Sequence, residues 1–75
     1  MRYFEWIGGG KSVPDYFDIY DDNDRLIKIL NVYTKSYEYE FESTLDYIRP
    51  TKTSDVKYNE LTEQEYKQKC FLILL

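Results

Sequence analysis

The stretch Tyr16-Phe17-Asp18-Ile19-Tyr20-Asp21-Asp22-Asn23-Asp24-Arg25-Leu26-Ile27-Lys28-Ile29-Leu30-Asn31-Val32-Tyr33 decides the fold class. An aromatic run and an Ile/Leu/Val run flank four polar residues, the pattern of two strands joined by a turn. Asp and Asn side chains satisfy their own backbone and tolerate left-handed conformations, so Asp21 to Asp24 is read as the turn. Strands are expected over about 15–20 and 25–33.

Working outward, Thr34-Lys35-Ser36 turns the chain into Tyr37-Glu38-Tyr39-Glu40-Phe41-Glu42. Aromatics on one face and carboxylates on the other give a period of two, so a half-buried antiparallel strand is expected over about 37–42. Upstream, Tyr3, Phe4, Trp6 and Ile7 mark a strand over about 2–7, ended by Gly8-Gly9-Gly10 and a loop through Pro14. Residues 43–60 read as a loop, with Leu45, Tyr47, Ile48, Val56 and Tyr58 tucked beneath it. Thr62-Glu63-Gln64-Glu65 is a capping box, with Thr62 as N-cap and Glu65 at N3. It predicts a helix over about 63–73 whose buried stripe is Tyr66, Cys70 and Ile73/Leu74.

The expected architecture is α+β: one domain over 1–75, a four-stranded, mainly antiparallel β-meander with one C-terminal α-helix packed on one face. Three-residue turns would pair Tyr20 with Leu26 and Tyr33 with Tyr37. Phe17, Ile19, Ile27, Ile29, Tyr39 and Phe41 then share the face beneath the helix. The opposite, open face carries Tyr16, Asp18, Tyr20, Leu26, Lys28, Leu30, Val32, Glu38, Glu40 and Glu42.

Composition narrows the chemistry. The 75 residues carry 10 basic and 14 acidic side chains, a net charge of -4, no His and one Cys. Without His, the usual base near neutral pH and the commonest metal ligand are missing. One thiol forms no internal disulfide. Nine Tyr, four Phe and one Trp supply the core of so short a chain. The start at Met1-Arg2-Tyr3-Phe4-Glu5 does not read as a secretory signal, and the apolar run Cys70 to Leu75 is too short to span a bilayer. A soluble, cytoplasmic protein without membrane contact is expected, and the acidic balance argues against direct nucleic-acid binding.

Several motifs invite an active site and fail. Gly10-Lys11-Ser12 lacks the earlier Gly of a phosphate loop, since Glu5 stands there, and Val13-Pro14 blocks the helix that must follow. Asp18, Asp21, Asp22 and Asp24 are interrupted by Arg25-Leu26 where a calcium loop needs Gly and a distant Glu. Glu38, Glu40 and Glu42 have the spacing of paired catalytic carboxylates, but an open sheet face offers no cleft. Cys70 has no His to activate it. No catalytic, cofactor-binding or metal-binding residues are therefore assigned, and an enzyme ranks last.

A solvated strand face is the plain reading of those carboxylates. The functional one is a surface for a partner protein with a basic face. Asp18, Asp21, Asp22, Asp24, Glu38, Glu40 and Glu42 would meet Lys and Arg, with Tyr16, Tyr20 and Trp6 as aromatic anchors. The apolar terminus offers an alternative, a homodimer or accessory subunit held through Phe71, Leu72, Leu74 and Leu75.

The order of these features resembles a group of small uncharacterised bacterial proteins, some of which look like immunity proteins of toxin systems. The resemblance rests on Met1-Arg2-Tyr3 with Trp6, on Pro14-Asp15, and on Tyr20-Asp21-Asp22 ahead of Arg25-Leu26-Ile27-Lys28. Leu61-Thr62-Glu63-Gln64-Glu65-Tyr66 completes it, while Gly8-Gly9-Gly10 and the apolar terminus depart from it. It implies the same small fold and a non-catalytic role, and it assigns no functional residue. The expected function is a small acidic protein-binding inhibitor of the toxin-immunity or phage anti-defence type.

Overall fold

The computed structural model describes residues 1–38, 43–49 and 55–74. Its elements are β1 (Arg2–Gly8), β2 (Tyr16–Tyr20), β3 (Leu26–Asn31), β4 (Ser36–Glu38), α1 (Leu45–Ile48), β5 (Val56–Leu61) and α2 (Glu63–Leu74). The strands form one antiparallel sheet in the order β4-β3-β2-β1-β5. The chain is thus an α+β domain with a C-terminal helix, as expected, but with five strands rather than four.

The fifth strand lies in the segment read as a loop. β5 pairs with β1 along its whole length, from Tyr3 opposite Leu61 to Gly8 opposite Val56. Lys57, Asn59 and Glu60 dilute its apolar content, as suits a strand with charged side chains at a sheet margin. Between β4 and β5 in sequence, α1 lies over one face of the sheet. Thr44 caps α1, its Oγ1 accepting the Tyr47 N–H at 3.3 Å.

The first turn behaves as its chemistry dictates. Asp21 Oδ1 accepts the N–H groups of Asn23 at 2.8 Å and Arg25 at 3.0 Å, and Asp24 takes a positive φ of 59°. Tyr20 pairs with Leu26, but the register then shifts, so that Ile19 faces Lys28 and Ile27 is the extra residue of a bulge. A one-residue slip sends every later side chain of β3 to the other face. Leu30 therefore lies beside Phe17, and Ile29 beside Asp18, the reverse of the expected assignment.

The second turn is also longer. Asn31 Oδ1 accepts from Tyr33 N at 2.9 Å and Thr34 N at 3.2 Å, ending β3 two residues before Tyr33. Asn31 then pairs with Ser36 across a four-residue loop that Lys35 closes with φ 55°, in place of a Tyr33–Tyr37 pair. The expected strand over 37–42 is described only as far as Glu38; residues 39–42, with Tyr39 and Phe41, lie outside the described residues.

Both faces of the sheet are covered. On one, α2 packs over Phe17, Leu30 and Leu61 through Tyr66, Cys70 and Ile73, the stripe expected from the sequence. Tyr66 stacks on Tyr3 with ring centroids 4.5 Å apart and meets the edge of Phe17 at 5.6 Å. The capping box is formed: Thr62 N donates to Glu65 Oε1 at 2.9 Å, and Glu65 N donates to Thr62 Oγ1 at 3.1 Å. On the other face, Leu45 and Ile48 of α1 close a second core with Phe4, Tyr20 and Leu26. The face expected to be open is therefore partly a core. No helix among the described residues is long and apolar enough to cross a membrane.

Candidate functional site

At one end of the sheet, carboxylates arrive from separate parts of the chain. The β2–β3 turn brings Asp21, Asp22 and Asp24; β5 ends at Glu60 and Leu61; α2 begins at Glu63. β1 begins between them. Arg2 forks onto Glu60, with Nε to Oε2 at 2.9 Å and Nη2 to Oε1 at 2.8 Å, while its Nη1 reaches both oxygens of Asp24 at 3.2 Å. The Met1 ammonium group meets Asp22 Oδ1 at 2.9 Å. Tyr3 OH donates to Glu63 at 3.4 Å, and Lys67 Nζ lies 3.7 Å from the same carboxylate.

Electrostatics follow these contacts. Hydrogen bonding from Arg2 holds the Glu60 carboxyl below its ordinary range, and Glu60 with Asp24 raises the guanidinium further above its own. The Met1 ammonium lowers Asp22, which raises the amine in return. The side chains stay wet: 91% exposed for Asp22, 63% for Glu63, 46% for Glu60 and 40% for Asp24. The backbone ties α1 to the same turn, since Leu45 N donates to Asp24 O at 2.8 Å and Arg25 bridges to Thr44. That places exposed Asp46 and exposed Tyr47 beside it. Among the described residues, six carboxylates there (Asp21, Asp22, Asp24, Asp46, Glu60 and Glu63) stand against five cations, the Met1 ammonium, Arg2, Arg25, Arg49 and Lys67.

The residues singled out from the sequence are not brought together as one surface. Asp21, Asp22 and Asp24 share this end. Asp18 and Tyr20 do not belong to a surface at all: they are 5% and 0% exposed, sealed by β1, β3 and α1. Tyr58 OH donates to Asp18 Oδ2 at 2.5 Å and lies 2.5 Å from Tyr20 OH, which makes a hydrogen-bonded polar knot inside the second core. Burial, then the Asp18 charge, pushes the Tyr58 phenol far above its ordinary range. Trp6 and Tyr16 are half-buried partners, edge to face at 5.5 Å, at the far end of the sheet from the turn. Glu38 is exposed on β4 and accepts from Asn31 Nδ2 at 3.3 Å; Glu40 and Glu42 lie outside the described residues.

Two further carboxylates are buried and paired. Glu5 takes Lys69 Nζ at 2.6 Å and Asn59 Nδ2 at 3.3 Å, which ties α2 to the sheet. Asp15 accepts from Tyr33 OH and from Lys11 Nζ, the latter at 3.1 Å, and hydrogen bonding from Tyr33 lowers its carboxyl. The Cys70 thiol is half-buried and pushed up by that burial. Phe71 and Leu72 stand 65% and 76% exposed on the outer side of α2; the Leu74 side chain and Leu75 lie outside the described residues.

Glu60, Glu63, Asp46 and Tyr47 are the site residues that sequence reasoning missed; Tyr47, read as tucked beneath a loop, is exposed because it lies on the outer side of α1. For Glu60 and Glu63 the Val56–Leu61 run bordering the capping box was the available signal, because a strand there must end at the box. Comparison with protein families, with curated proteins and with solved structures gave no match.

Proposed function

We propose that this chain is a small, non-catalytic protein-binding inhibitor that docks its carboxylate-rich end on a basic surface of a target protein and occludes it. The observation that supports this reading is the convergence of Asp22, Asp24, Glu60 and Glu63 from three elements onto one solvent-facing end. Such an end steers a cationic partner by long-range attraction and then exchanges contacts with its Lys and Arg side chains. The Arg2 fork holds Asp24 and Glu60 in position, so part of the ordering cost of binding is met before the partner arrives. Asp22 and Glu63 are the outermost pair. Tyr47, 71% exposed on α1, takes the anchoring part first assigned to Trp6, Tyr16 and Tyr20. The test is to immobilise the wild-type chain and the Asp22→Lys/Glu63→Lys variant side by side and compare what each retains from an extract of the source cells. A basic protein held only by the wild type is expected; equal retention on both overturns the reading.

The exposed Phe71 and Leu72 favour a second reading, self-association through the outer side of α2. Sedimentation across a wide concentration range separates the two. Self-association predicts a mass that rises with concentration and falls back in a Phe71→Ser/Leu72→Ser variant, and a monomer throughout contradicts it.

A further inference from the structure

We draw no further inference here: the strongest candidate, the outward apolar strip of α2 at Phe71 and Leu72, already belongs to the second reading above, and nothing in the structure shows what covers it.

Discussion

Tyr58 is the residue on which the second core turns. Its hydroxyl donates to the buried Asp18 carboxylate and meets Tyr20 OH, while its ring stacks on Phe4 with centroids 4.9 Å apart. Tyr58→Phe keeps the stack and removes a donor from a buried charge. The expected cost is about 1–3 kcal/mol, the penalty for weakening the satisfaction of a buried polar group. Urea denaturation monitored by tryptophan fluorescence checks this, and an unchanged midpoint would show that the knot contributes nothing to stability. Asp15 gives a second prediction at this scale. Hydrogen bonding from Tyr33 holds its folded carboxyl below the ordinary Asp range, so its contribution is present above the unfolded value and is lost as pH falls through the folded one. Asp15→Asn should therefore flatten the loss of stability below about pH 4, a window set by the ordinary Asp value. Thermal melts of both proteins across that range measure it, and parallel curves would contradict the assignment.

Among the elements, α2 illustrates what local chemistry makes readable. A capping box needs only four adjacent residues, and Thr62 and Glu65 satisfy each other's backbone as their spacing requires. Thr62→Ala should cost about 1 kcal/mol and fray the first turn of α2, which amide hydrogen exchange at Glu65 and Tyr66 would register as faster opening. Protection equal to wild type would mean that packing through Tyr66 alone holds the turn. The Asp21 turn was legible for the same reason, since its hydrogen bonds close within four residues. The bulge at Ile27 was not, because nothing in Ile27-Lys28-Ile29-Leu30 distinguishes one register from its neighbour. Both alternatives bury two aliphatic residues, and the choice is made by Phe17, Asp18 and the elements above each face. β5 was hidden because its pairing with β1 spans most of the chain, and its own residues are too mixed to declare a strand. Once β5 is missed, the covering of both faces is missed with it, and Asp18 and Tyr20 are misplaced on the surface.

At the scale of the molecule, the same non-local pairing creates the candidate site. Alternating charge along residues 37–42 drew attention to one strand, whereas the carboxylates gather where β1 meets both the β2–β3 turn and the end of β5. Only Asp21, Asp22 and Asp24 of the site were visible in advance, because they are neighbours in sequence. Glu60 joins them through the β1–β5 ladder and the Arg2 fork, and Glu63 through the Tyr3 hydroxyl. Among the described residues, six of the carboxylates behind the net charge of -4 gather at one end of a five-stranded sheet. The most direct measurement is the affinity of the captured partner for wild type and for Asp22→Lys/Glu63→Lys, read at low and high salt, with circular dichroism showing both folded. Docking through this end predicts a loss of at least about tenfold at low salt, with a difference that narrows as screening sets in. Equal affinities at low salt, or a wild-type affinity indifferent to salt, would contradict it.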